Sequence, residues 1–301
     1  MRRFAAFSVC GLVLMPQASA ARPQIPTFSH VLVVVLENKE RDQVVGNPAA
    51  PTFNAIARRY ATLSNYDAVA HPSLPNYLAL VSGSTQGIRS DCTSCVVRAP
   101  SLADTLEGAG LTWRTYAEGL PWPGFQGAWH GRYAKKHNPF LYFHAVASSA
   151  RRRDNVVPLS WLRRDAAAGR LPSFAVVVPD QCHDMHSCPI ATGDRWLRTN
   201  VLPLLHMRSL AASVVFVVFD EGTTAAGGGG HVAALALGPL IKPHSVFTAT
   251  TNHYGLLRTI EAAWGLPHLG LSANATPIDG IWLSRRKRIH RAGDAFVHRF
   301  R

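Results

Sequence analysis

Four short, almost purely apolar runs punctuate the chain: His30–Leu36 (HVLVVVL), Phe174–Val178 (FAVVV), Ser213–Phe219 (SVVFVVF) and Val232–Leu237 (VAALAL). Valine-rich runs of this length, without polar alternation, predict strands buried on both faces, as in a parallel sheet. Between them, helical spacing of apolar residues appears over Thr52–Tyr60, Pro75–Val81, Ser101–Ala109, Asp194–Met207 and Tyr254–Trp264. Strands alternating with helices predict an α/β fold, an α/β/α sandwich around a mostly parallel sheet.

Ligands of such sheets bind beyond the carboxyl ends of the strands, so the residues just after each apolar run carry the first functional information. Glu37-Asn38 follows the first run. Pro179-Asp180 follows the second, with His183, Asp184 and His186 close behind. Asp220-Glu221 follows the third. Any one of these alone reads as a helix cap or a solvated turn; three at equivalent positions predict one shared site. Carboxylates and an amide oxygen are hard ligands, suited to Mg²⁺, Ca²⁺ or Mn²⁺, and Zn²⁺ also accepts carboxylate oxygen. Glu37, Asn38, Asp220 and Glu221 are therefore the expected cage for one divalent cation, which would remove the repulsion among its carboxylates.

The stretch His71-Pro72-Ser73-Leu74-Pro75-Asn76-Tyr77-Leu78-Ala79-Leu80 places Ser73 just before a helix predicted to start near Pro75. Its hydroxyl is either an N-cap or, beside a metal, a nucleophile. Of fourteen histidines, His137 lies in KKHNPF, where Lys135 and Lys136 would draw an anion. His183 and His186 flank Asp184 between two cysteines. His231 follows Gly227–Gly230, which matches no P-loop because no Lys-Ser/Thr follows it; a flexible loop before a strand is the expectation there. His253, near a predicted helix start, reads as packing or capping.

Composition narrows the class. With 301 residues, 47% hydrophobic and 16% charged, the chain has apolar content for a sizeable core and is not a disordered sequence. Its formal net charge of +13 is concentrated: residues 285–301 carry seven Lys/Arg against one Asp, and residues 151–170 carry six Arg against two Asp. With Arg2 and Arg3 also set aside, the body is close to neutral, and no nucleic-acid partner is expected. The tail over 285–301 reads as solubilising, with peripheral contact to an anionic membrane as the alternative. Residues 1–20 have a positive start, an apolar stretch of about 12 residues, too short to span a bilayer, and a small-residue cleavage site at Ala18-Ser19-Ala20. They read as a leader, with a membrane anchor as the alternative, leaving 21–284 as the folded domain of a secreted or periplasmic protein. Four cysteines then remain, Cys92, Cys95, Cys182 and Cys188. Of the three possible pairings the local ones, Cys92–Cys95 and Cys182–Cys188, are favoured, with structural zinc as the lesser reading.

Taken together, ENKE (37–40), HPSLPNYLAL (71–80), YAKKHNPF (133–140), PDQCHDMH (179–186), DEG (220–222), GGHV (229–232) and NHYGLLRTIEAAWGLP (252–267) resemble the phosphoesterase family. That family groups bacterial phospholipases C with secreted acid phosphatases on an alkaline-phosphatase-like fold. The resemblance implies that Glu37, Asn38, Asp220 and Glu221 bind one metal and that Ser73 is both nucleophile and further ligand. It implies that His137, Asp184 and His186 contact phosphoryl oxygens or assist the leaving group. His231 and His71 match family positions, and His71, Lys136 and His183 are expected to face the substrate. The chain has His183 and Ser187 where the family often has Asn and Asp. It lacks the long insertions of the large phospholipases C, which favours a phosphomonoesterase acting on phosphate esters, phosphoinositide or other phospholipid headgroups among them. Two alternatives remain: a phospholipase C cleaving diesters, and a basic secreted binder of anionic polymers or membranes. A sulfatase would need a CxPxR-type signature, and none occurs.

Overall fold

The computed structural model of the chain describes residues 24–284; the leader over 1–20 and the basic tail over 285–301 lie outside the described residues. Eight strands form one sheet: β1 (Val31–Leu36), β2 (Ala61–Leu63), β3 (Trp113–Ala117), β4 (Val156–Pro158), β5 (Phe174–Val178), β6 (Val214–Phe219), β7 (Ala234–Leu237) and β8 (Ser245–Phe247). Their spatial order is β8-β2-β7-β6-β1-β5-β3-β4. The three valine-rich strands β5, β1 and β6 are buried along their whole length and lie side by side in parallel, as their lack of alternation predicts.

Helices cover both faces. Tyr77 and Leu80 of α2 (Ser73–Ser82) and Ile260 of α4 (His253–Trp264) lie against Val33 and Val35. On the opposite face, Phe53 of α1 (Pro51–Arg59) meets Phe219 edge-on, 6.2 Å between ring centroids. Asp194 of α3 (Ile190–Asn200) accepts the Thr52 and Phe53 N–H groups at 3.1 and 2.8 Å and so caps α1. The expected sandwich is therefore present, and both local disulfides, Cys92–Cys95 and Cys182–Cys188, are formed.

Two expectations are corrected. The fourth apolar run is not parallel: β7 runs antiparallel to both β6 and β2. The connection from β6 contains no crossover helix, only a three-residue 3-10 turn over Ala226–Gly228; the chain returns from the rim it has just reached, so it must reverse direction. The helix expected over Asp194–Met207 ends at Asn200 and continues as a 3-10 turn over Leu202–His206. Pro203, with no N–H to donate, cannot continue an α-helix.

Register sets the site. Leu36 pairs with Phe219 across β1 and β6, so Glu37 and Asp220 leave adjacent strands at the same level. The Asp220 N–H donates to the Leu36 carbonyl at 2.9 Å, and the Glu37 N–H to the Asp184 carbonyl at 2.8 Å.

Candidate active site

Ser73 opens α2. Pro72 holds the cap position and has no side-chain oxygen; the capping acceptor is Asp91, whose Oδ1 takes the Leu74 N–H at 3.0 Å. The N-cap reading of Ser73 is thus overturned. The residue is only 1% exposed, and its hydroxyl stands 3.1 Å from Glu37 Oε2 and 3.1 Å from Glu221 Oε1. The Lys136 ammonium approaches the same oxygen at 3.2 Å and pairs with Asp91 Oδ2 at 2.9 Å.

Behind Ser73 lies a second, fully buried group. Glu37 Oε1 is 2.9 Å from His137 Nε2, and His137 Nδ1 is 3.6 Å from Asp184 Oδ2. The His137 ring stacks on Tyr77, 5.2 Å between centroids and 9° from parallel. Glu37 Oε1, His137 Nε2, Asp184 Oδ2 and Asp220 Oδ2 are all buried without an aligned hydrogen bond. Buried polar atoms are rarely left so; ligand atoms of Glu37, His137 and Asp184 lie within 4.8 Å of one another, with Asp220 beside Glu37, an arrangement that could hold a cation.

The electrostatics agree. Burial would raise Glu37, but His137, Lys136 and the hydrogen bond from Asp220 together bring the carboxyl down to about 2. Burial, reinforced by the Glu37 charge, pushes Asp184 up to about 9 and drives Asp220 well above the carboxylate range. Burial also raises Glu221. Carboxylates crowded this closely repel one another, and a divalent ion relieves that repulsion. The donor set, mostly carboxylate oxygen with one imidazole, fits such an ion.

The expected residues do not all converge. Glu37, Ser73, Lys136, His137, Asp184, Asp220 and Glu221 come together as described. Asn38 contributes backbone: its φ of +58° is left-handed, a conformation asparagine tolerates, and its N–H points to Asp220 Oδ1 at 3.4 Å. His71 hydrogen-bonds Glu221 Oε2 through Nδ1 and donates from Nε2 to the Thr224 carbonyl at 2.7 Å. Burial lowers its pKa, but these two acceptors raise it overall. His186 is exposed at the rim, its N–H on Asp184 Oδ1 at 2.7 Å. His183 and His231 make their contacts elsewhere: His183 with Glu118 and Asp180 at 3.0 and 3.3 Å, His231 with Asp67 at 3.0 Å.

The glycine run before β7 is not a loose loop. A Cβ on Gly228 would stand 2.6 Å from the Val69 carbonyl oxygen, and one on Gly229 2.4 Å from that of Ala70. The run is bare because it packs against the backbone that leads into His71. Glu40 Oε1 fixes the other side by accepting the Thr223 and Thr224 N–H groups at 2.7 and 2.8 Å.

Reading from strand ends misses Asp91, Tyr77 and Lys39. Burial lowers the Lys39 ammonium even though Asp184, Glu37 and Asp220 all pull it upward, which places it within their field. Lys39 and Tyr77 lie inside quoted motifs; Asp91 has only its neighbour Cys92 as a signal. His253, by contrast, is internal structure: its Nε2–H donates to the Asp220 carbonyl at 2.6 Å while Nδ1 accepts from the Tyr66 hydroxyl at 3.0 Å.

This site, a buried serine among carboxylates at the strand ends of the sandwich, belongs to a hydrolase acting on phosphoric esters, as the matching family and its named relatives show. The Phosphoesterase family model matches residues 47–267, and the chain belongs to that family. It is 34% identical over 271 residues to a phosphatidylinositol-3-phosphatase of Mycobacterium tuberculosis, covering 89% of this chain and 87% of that one. It is 30% identical over 276 residues to a probable acid phosphatase of Kluyveromyces lactis, covering 84% of this chain and 65% of the relative, just under two thirds of the longer fungal protein. Among solved structures it resembles an alkaline phosphatase superfamily protein from Vibrio parahaemolyticus, with a TM-score of 0.58, 13% identity, and 87% and 72% of the two chains covered. Murine ectonucleotide pyrophosphatase/phosphodiesterase 5 aligns with a TM-score of 0.52 at 13% identity, over 80% of this chain and 96% of that one.

Proposed function

We propose that the chain is a cation-dependent acid phosphatase that hydrolyses phosphate monoesters through a phosphoserine at Ser73. The observation that carries this reading is the Ser73 hydroxyl, buried 3.1 Å from carboxylate oxygens of both Glu37 and Glu221. One hydroxyl proton cannot serve two carboxylates, so a purely structural serine is a poor fit for this position. Glu37, His137, Asp184 and Asp220 would hold the ion, with Asn38, Ser73 and Glu221 at its edge. A bound divalent cation lowers the pKa of a neighbouring hydroxyl and offsets charge on a phosphoryl group.

The residues then divide the work. Ser73 Oγ bonds to phosphorus as the ester oxygen departs, and its proton passes to Glu221, which His71 hydrogen-bonds on the other oxygen. Lys136 and Lys39 balance charge on the phosphoryl oxygens. His186, at the rim, protonates the leaving alkoxide. Water next breaks the Ser73–phosphorus bond, restoring the alcohol and releasing phosphate. Similarity to a protein named phosphatidylinositol-3-phosphatase supports phosphoinositide headgroups among the substrates. The leader pattern over 1–20 and the two disulfides support export to the periplasm or medium, with 21–284 as the catalytic unit.

Acid-quenching the enzyme during turnover of p-nitrophenyl phosphate and mapping the phosphorylated peptide tests this. Phosphate is expected on Ser73, and Ser73→Ala should fold normally without turning over. A Ser73→Ala protein keeping a tenth of wild-type activity would rule the role out.

A further inference from the structure

We propose, resting on the reading of Glu37 and His137 as ligands of a cation, that Tyr77 is a positioning residue of that seat. Its hydroxyl sets the Glu37 carboxylate, and its ring sets the plane of His137. The chemistry proposed for Ser73 makes no use of this side chain.

Tyr77 lies four positions after Ser73 on α2, and residues so spaced share one face of a helix. It is fully buried. Val33, Val35, Leu80, Pro139 and Ile260 line the same apolar wall as its ring, surroundings that a phenylalanine would fill equally well. The hydroxyl is what needs a reason. A buried tyrosine O–H ordinarily finds a partner, and leaving it without one costs stability. Here the O–H has no aligned hydrogen bond, and the acceptor within its reach is the Glu37 carboxylate. Burial first, then the charges of Glu37, Asp220 and Asp184, hold the phenol well above its usual range, which puts the oxygen among the carboxylates of the seat and not in the apolar wall.

Two ligands are thereby set from one side chain. The ring stacks on His137, 5.2 Å between centroids and 9° from parallel. That stack fixes the imidazole plane in which Nε2 stands 2.9 Å from Glu37 Oε1. The Glu37 carboxylate turns about a terminal torsion that is intrinsically broad, yet it faces Ser73 through Oε2 at 3.1 Å and His137 through Oε1. A donor beside it narrows that torsion. Groups one step behind the ligands hold the geometry of a metal site in this way. Because Ser73 and Tyr77 are carried on one helix, the serine and the two ligands keep their spacing together.

The test takes the full chain, stripped of metal by chelation, and titrates it with MnCl₂ by isothermal calorimetry, beside thermal unfolding of the metal-free protein. Tyr77→Phe keeps the ring and removes only the hydroxyl. Its Kd for Mn²⁺ should rise by about tenfold or more, while its metal-free Tm should stay level or increase because an unsatisfied polar group is gone. Tyr77→Leu, which also removes the stack, should bind Mn²⁺ more weakly still. An unchanged Kd in Tyr77→Phe would overturn the inference and leave the cation seat standing. So would a weakened Kd accompanied by a fall in metal-free Tm, the mark of a side chain that only packs. Equal Kd values for the two variants would overturn the part given to the ring. Wild-type protein that takes up no Mn²⁺ would overturn the reading of the seat itself, and this role of Tyr77 with it.

Discussion

Asp91 Oδ2 holds the Lys136 ammonium at 2.9 Å, and that ammonium in turn lies 3.2 Å from Ser73 Oγ. The other oxygen of the same carboxylate caps α2 at Leu74. One side chain, well away from Ser73 in sequence, therefore fixes both the helix that presents the serine and the cation beside it. Asp91→Asn keeps an acceptor for the cap but loses the ion pair. We expect kcat/KM for p-nitrophenyl phosphate to fall about 10- to 100-fold with Tm nearly unchanged. Asp91→Ala should lose about 1 kcal/mol of stability as well. Denaturant titration beside the kinetics separates the two effects, and an unaltered kcat/KM in Asp91→Asn would remove Asp91 from the site.

The pH dependence of stability has an identifiable contributor in His253. Burial lowers its pKa from the usual 6.5 to about 4, and both ring nitrogens are satisfied in the neutral form. Between those two values the unfolded chain binds a proton that the folded chain does not, so stability is full above pH 6.5 and declines as pH falls toward 4. The loss amounts to about 3 kcal/mol. In His253→Gln, melting curves taken across pH 4 to 7 should show a shallower decline than the wild type. Parallel curves would show that His253 does not carry the effect.

Gly229→Ala tests the tight loop. A Cβ there meets the Ala70 carbonyl oxygen at 2.4 Å, a contact with backbone that no rotamer change can relieve. We expect a loss of about 2 kcal/mol or more, with weakened turnover because the displaced segment leads into His71 and Ser73. An alanine tolerated without a change in Tm would mean the loop yields freely.

How far these features show in the sequence depends on how local their causes are. The strands β1, β5 and β6 were legible because burial on both faces demands continuous apolar runs, and Glu37, Asp184, Asp220 and Glu221 followed from the strand-end rule. The direction of β7 was not, since VAALAL reads the same whichever way it runs; the connection decides. Ser73 stood out by its motif, yet its freedom from capping depends on Asp91, which only the folded chain brings near. His183 and His231 share the site's motifs, but their carboxylate partners, Glu118 and Asp67, lie in segments that sequence spacing does not link to them. The glycine run looked loose because contact with residues 69 and 70 leaves no periodic trace.

Metal content measured together with turnover bears most directly on the proposed cation seat. Purified wild-type protein and Asp220→Asn would be analysed for bound divalent ions by plasma mass spectrometry, and hydrolysis of p-nitrophenyl phosphate followed before and after chelation. We expect about one ion per wild-type chain, loss of turnover on chelation with recovery on adding a divalent salt, and substoichiometric metal in Asp220→Asn. Undiminished turnover by wild-type protein shown to be metal-free would contradict the cation-assisted chemistry proposed for Ser73.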